Sequence, residues 1–87
     1  MDGAYVVEVR APRAENLLAR IYRALVAIGV RLVHTEVRVA PDALVQKLHL
    51  LEPDDSPLSP RRLLAALRAL ARACHGTIAS WQFAPTA

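Results

Sequence analysis

The chain has 87 residues, 54% apolar and 22% charged, with a net charge of +3. That length holds one small core, burying about 60 to 65% of the unfolded surface. The longest uncharged stretch, Ala73 to Ala87, is broken by His75, Ser80 and Gln82 and falls short of the roughly 20 apolar residues of a membrane helix.

The opening Met1-Asp2-Gly3 carries no charged-then-apolar signal pattern, so a cytosolic location is expected. Tyr5, Val7 and Val9 then alternate with Val6, Glu8 and Arg10, the period of a half-buried strand with one dry face and one mixed face. A loop follows over 11–15. Leu17, Leu18, Ile21, Leu25 and Ile28 fall at helical spacing, and Gly29 stands where a helix commonly ends in the left-handed region. The loop lies between a strand end and the first unpaired N–H groups of a helix, which marks it as the functional part of the unit.

A second strand is expected over Arg31 to Val39, with Val33, Thr35, Val37 and Val39 on one face and His34, Glu36 and Arg38 on the other. After a turn at Pro41-Asp42, a third strand over Ala43 to Leu51 sets Leu44, Gln46, Leu48 and Leu50 against Val45, Lys47, His49 and Leu51. A loop centred on Pro41-Asp42 fixes a register pairing Glu36 with Lys47, His34 with His49 and Thr35 with Leu48. Both faces agree with it, whereas a one-residue slip would invert one strand.

Glu52 to Leu58 reads as a loop carrying two prolines and the acidic pair Asp54-Asp55. Ser59-Pro60 is an N-cap followed by proline at the first helical position. The helix should run to about His75 and stop at Gly76, with Leu63, Leu67, Leu70 and Cys74 inward. Arg61 and Arg62 sit at its positive end, which calls for nearby acids such as Asp54 and Asp55. Thr77 to Phe83 is a last strand, with Ala79, Trp81 and Phe83 on one side, and 84–87 a frayed tail. The order strand, helix, strand, strand, helix, strand gives an α+β, ferredoxin-like βαββαβ domain: a four-stranded antiparallel sheet with two helices on one face. The other face would bear Val6, Glu8, Arg10, His34, Glu36, Arg38, Val45, Lys47, His49 and Leu51.

No catalytic set emerges. Ser56, Ser59 and Ser80 have turn, cap and strand explanations, and the three glycines stand alone, so no phosphate-binding loop exists. The single cysteine, Cys74, excludes an intrachain disulfide and reads as a buried structural thiol. His34 and His49, paired across two strands about 5 Å apart, offer two metal ligands, too few for a closed site unless Glu36 or a second subunit adds one. No metal or other cofactor is therefore expected. RNA-recognition motifs share this element order, but their third strand presents stacking aromatics and this one has none. Arg61, Arg62, Arg68 and Arg72 leave only a weak phosphate-binding alternative, with a solvated helix face the simpler reading.

At Val6-Val-Glu-Val-Arg-Ala-Pro12, continuing into Leu17-Leu-Ala-Arg-Ile-Tyr-Arg-Ala-Leu-Val-Ala-Ile-Gly-Val30, the chain resembles an ACT domain. It is most similar to the ACT repeats of the PII-protein uridylyltransferases. Further similarity lies at His34-Thr-Glu-Val-Arg-Val39 and at Asp55-Ser-Pro-Leu-Ser-Pro60, so the resemblance covers about residues 5 to 83. It implies a non-catalytic regulatory module that binds a small ligand, commonly an amino acid, where the first loop and helix start of one copy meet the second strand of another. The implied ligand positions are Arg13, Ala14, Glu15, Asn16, Leu17, Val33, His34 and Thr35.

The chain departs from the family in that loop. Where the family has an acidic or polar residue, then basic, proline and glycine, Arg13-Ala14-Glu15-Asn16 stands here. Asn16 is expected to cap the helix with its side chain, taking an N–H that a ligand carboxylate would use, and Glu15 would repel that carboxylate while attracting an ammonium. Two functions stay open: an altered ligand specificity, or a scaffold kept for dimerisation or for binding a regulatory protein. A homodimer is expected from the small core, the apolar composition and the habit of the family that the chain resembles.

Overall fold

The computed structural model describes residues 3–12, 16–75 and 77–85, with the side chains of Thr77 and Ala79 left aside. Six elements follow one another: β1 (Gly3–Ala11), α1 (Leu17–Ala27), β2 (Arg31–Val39), β3 (Leu44–Leu51), α2 (Pro60–Cys74) and β4 (Thr77–Pro85). The strands form one antiparallel sheet in the order β2-β3-β1-β4, the ferredoxin-like arrangement expected from the element order. β1 and β3 are central and β2 and β4 are the edges.

The core lies where the helices meet the two central strands. Val7, Val9, Leu48 and Leu50 project from the sheet against Leu17, Ile21 and Leu25 of α1 and Leu63, Ala66, Leu70 and Cys74 of α2. Leu67 packs at its margin, so the inward row read from the helical spacing is in place. Cys74 is buried, and that desolvation pushes its thiol pKa up, keeping it neutral and inert. Leu18, though in register with α1's apolar row, is exposed: Leu17 and Ile21 fill the space over the sheet, and Leu18 falls on the flank.

Between β2 and β3 the expected register holds from His34↔His49 to Val39↔Leu44, closed by the two-residue turn at Pro41-Asp42, with Ala40 N–H donating to Ala43 O at 2.8 Å. Beyond it a bulge between Leu32 and His34 inserts one residue. Leu32 thereby comes opposite the fully buried Leu50 and packs on the core, a position that strict alternation assigned to Val33. The same alternation expected Val33, Val37 and Val39 on a dry face, but all three are exposed, because β2 is an edge strand and the helices pack over the central strands. A second irregularity, between Glu8 and Val9, sets Val9 opposite Ile78, which packs on the core. The inward placement expected for Ala79 lies outside the described side chains. Val7↔Trp81 and Tyr5↔Phe83 share a face, with Tyr5 edge-on to both rings at centroid distances of 5.9 and 5.4 Å. The strand does not fray at Ala84: Ala84 and Pro85 pair with Ala4 and Gly3, while 86–87 lie outside the described residues.

The start of α2 is wired to the end of α1. Ser59 is in the extended region and its hydroxyl accepts from the Arg62 N–H at 3.2 Å. Glu52, not Asp54 or Asp55, supplies the acid that the two arginines call for. Its carboxylate accepts from the Ser59 N–H at 3.1 Å and lies 3.2 Å from Arg62 Nε. The guanidinium of Arg62 then donates to the carbonyls of Ile28 and Gly29 at 3.2 and 2.9 Å, satisfying the C-terminus of α1. Gly29 has φ +74, and a Cβ there would collide with Arg62, so only glycine suits the position. The two other acids are engaged elsewhere: Asp55 pairs with Arg31, and Asp54 accepts from the Ser56 N–H and hydroxyl, bonds that hold its carboxyl below the usual range. His75 takes the left-handed cap position, and the stop expected at Gly76 lies outside the described residues.

Candidate functional site

An apolar helix flank and an unpaired strand edge face each other across the first βαβ unit. Leu18, Tyr22 and Val26 recur every fourth residue along α1 and are all exposed, Tyr22 and Val26 by more than half. Beside them runs β2, hydrogen-bonded to β3 on one side only. Between the two lies a groove of about 520 Å³ lined by Leu18, Ala19, Tyr22, Leu32, Val33, His34 and Thr35. It continues past Tyr22 and Val26 toward Gly29, Val30 and Arg31.

Of the eight positions implied by the resemblance, three line the groove. Val33, His34 and Thr35 line it, and Leu17, at the first turn of α1, anchors its wall in the core. Arg13, Ala14 and Glu15 lie outside the described residues. Asn16 differs from expectation. Its backbone is left-handed, with φ 60 and ψ 24, and its side chain makes no capping hydrogen bond. A side-chain cap needs extended backbone, as Ser59 shows, and a left-handed residue turns its side chain away from the helix amides. Asparagine tolerates this left-handed backbone better than most residues.

Two polar atoms on the helix side of the sheet are buried without a hydrogen-bond partner among the described residues: Thr35 Oγ1 and Gln46 Oε1. Unmade hydrogen bonds of this kind carry a desolvation penalty of about 1 to 3 kcal/mol each. Neither was legible as an unmet group in the sequence, where Thr35 was only one alternating position and Gln46 one polar break in an apolar face. Gln46 is 3% exposed, and it sits opposite Val9 on β1 and Val37 on β2.

The open face of the sheet carries the mixed set expected, with Val6 and Val45 nonetheless buried. Arg38 reaches to 3.8 Å from Glu8, and Arg10 pairs with Asp42 at 2.8 Å. His34 and His49 meet edge to face, their ring centroids 4.9 Å apart, and Glu36 Oε2 lies 3.6 Å from His49 Nε2. Among the described residues no helix is long and apolar enough to cross a membrane.

Solved structures repeat this architecture. Over 97% of its length the chain superposes on the C-terminal domain of the MgtC protein from Mycobacterium tuberculosis, with TM-score 0.66, 16% identity and 87% of that chain covered. It superposes equally far on a formyltetrahydrofolate deformylase from Pseudomonas syringae, with TM-score 0.65 and 9% identity, and on the regulatory subunit of aspartate kinase from Thermus thermophilus in its ligand-free form, with TM-score 0.61 and 18% identity. It spans 28% of the deformylase and 51% of the kinase subunit. No protein-family model matches the sequence, and no curated protein matches it. At these identities the likeness concerns architecture, and the architecture is an ACT-like ferredoxin fold.

Proposed function

We propose that this chain is a non-catalytic, cytoplasmic regulatory module that acts as a homodimer and takes an amino-acid-like ligand in the groove between α1 and β2. The observation that carries this reading is the Thr35 hydroxyl, buried and unpartnered among the described residues, in the wall of an otherwise apolar groove. Apolar concavities with a few unmet polar groups are the usual form of small-ligand sites. The left-handed start of α1 adds to it, since a helix start whose amides receive no cap from the Asn16 side chain, among the described residues, suits a carboxylate. The kinase regulatory subunit, whose solved form is described as ligand-free, lends the reading an analogy of fold.

The free edge of β2 favours a dimer in which two copies join edge to edge and their exposed Val33, Val37 and Val39, with Leu18, Tyr22 and Val26, bury one another. An amino-acid panel screened by melting temperature tests the ligand. At least one compound should raise Tm, and Thr35→Val should weaken its binding by about fivefold, the worth of one hydrogen bond. A flat panel would leave the second reading, a scaffold for dimerisation or for a partner protein, which the exposed valine edge favours. Val37→Lys should convert a concentration-dependent dimer to a monomer in sedimentation equilibrium, and a wild-type mass that stays monomeric at every concentration removes the dimer.

A further inference from the structure

On the face of the sheet away from both helices, three metal-ligating side chains converge. His34 and Glu36 are two residues apart on β2 and so share a face, and His49 is the direct cross-strand partner of His34 on β3. One ligand atom from each lies within 4.8 Å of the others. We infer that His34, Glu36 and His49 bind one divalent first-row transition-metal ion of the zinc class. The site shares His34, at the sheet edge, with the lining of the α1–β2 groove, but its argument does not rest on the regulatory reading of that groove.

The chemistry of the donor set selects the ion. Two imidazoles and one carboxylate suit zinc, nickel, cobalt and copper, whereas calcium and magnesium require oxygen shells that this patch does not offer. Three protein ligands leave a further coordination position for water, as in open rather than closed zinc sites. Metal–ligand bonds of about 2.0 to 2.2 Å bring tetrahedral ligand atoms to about 3.3 Å from one another, so the most separated pair closes by at most roughly 1.5 Å on binding, and His49 and Glu36, 3.6 Å apart, by far less. His34 and Glu36 are exposed and have that freedom.

A second observation comes from His49. Its Nε2 is buried, has no hydrogen-bond partner among the described residues, and stands 3.6 Å from Glu36 Oε2, too far for a hydrogen bond. A ring nitrogen held at that distance from a carboxylate, beside a second imidazole, has the geometry of a ligand that a bridging ion would join to them. Among the nearby cations, Arg38 reaches to 3.8 Å from Glu8, and Lys47, opposite Glu36, is exposed. Because the three ligands span β2 and β3, the ion would fasten the edge strand across the bulge at Val33.

Calorimetric titration of the full chain with Zn²⁺ alone tests the site. One ion per chain is expected to bind, and Tm at 100-fold excess over Kd should rise by about 10 °C or more. Co²⁺ should give the visible absorption of a low-coordinate nitrogen and oxygen site. His34→Ala, at an exposed position, should weaken binding about 100-fold, and His49→Gln and Glu36→Gln by comparable factors, since even residues that only orient metal ligands are worth 10- to 100-fold. His75→Asn should bind as the wild type does, because His75 lies at the far cap of α2. Absence of saturable Zn²⁺ binding overturns the proposal. So does half an ion per chain, or a Kd unchanged in His34→Ala.

Discussion

At the start of α2 the Ser59 hydroxyl accepts from the Arg62 N–H, the Glu52 carboxylate accepts from the Ser59 N–H, and the Arg62 guanidinium joins Glu52 to the carbonyls of Ile28 and Gly29 just past α1. At the start of α1, Asn16 sits in the left-handed region and its side chain caps nothing. The flanks differ in the same sense: α2 buries Leu63, Ala66, Ala69, Leu70 and Cys74, while α1 leaves Leu18, Tyr22 and Val26 outside. Each βαβ half ends in an edge strand, β4 in one and β2 in the other, but the start of α2 is tied to its surroundings, while α1 keeps a longer apolar flank beside β2 and receives no cap from the Asn16 side chain.

The largest test of that division sets one side chain from each part against the other. Leu70→Ala removes a fully buried side chain from between α2 and the sheet and should destabilise the protein by about 3 kcal/mol. Val37→Ala, on the exposed edge, should change stability by no more than about 0.5 kcal/mol. Urea unfolding of the isolated chain at a concentration below dimerisation measures both, and a large loss in Val37→Ala would show that the edge contributes to the monomer's own core.

The next effect concerns the link between the halves. Arg62→Ala removes the donor to Ile28 O and Gly29 O and leaves the mostly buried Glu52 carboxylate without its cation, a loss of about 2 kcal/mol. Arg62→Lys should restore less than half of it, because an ammonium on a flexible stem cannot reproduce the planar fork that serves Glu52 and two carbonyls together. Equal stability of Lys and wild type in the same urea experiment would reduce the link to simple charge.

How much of this was legible in the sequence depends on range. Element order, the register from His34 to Val39 and the Ser59 cap rest on local pattern, and local pattern was enough. The exposure of Val33, Val37 and Val39 follows from β2 lying at the edge, and edge status belongs to the whole topology rather than to the alternation in β2. The bulge at Leu32–His34 is invisible for a related reason. An inserted residue breaks the period only when the partner strand is known, and both Leu32 and Val33 are credible core residues. Glu52 was overlooked beside the adjacent Asp54-Asp55 because the turn that brings it to Ser59 and Arg62 is not a sequence periodicity. The metal-ligating cluster was half visible: the His34/His49 pair follows from the register, and the diagonal approach of Glu36 to His49 depends on side-chain geometry.

The smallest effect separates two readings of Asn16. An N-cap asparagine contributes through its side chain, so replacement by glycine should cost a few tenths of a kcal/mol and replacement by alanine about 1 kcal/mol. A left-handed asparagine without a cap contributes through its backbone. Alanine should then still cost about 1 kcal/mol, because its Cβ opposes positive φ, but glycine should be neutral or stabilising by a few tenths. The sign of Asn16→Gly therefore decides, and Ser59→Gly provides the contrast. Ser59 is in the extended region and bonded to the Arg62 N–H, so its glycine variant should lose stability. If Asn16→Gly gains where Ser59→Gly loses, the amides that begin α1 are left for a ligand. Their occupation by an added amino acid should then be visible as shifts of the Leu17 and Leu18 amide resonances in Asn16→Gly as in the wild type.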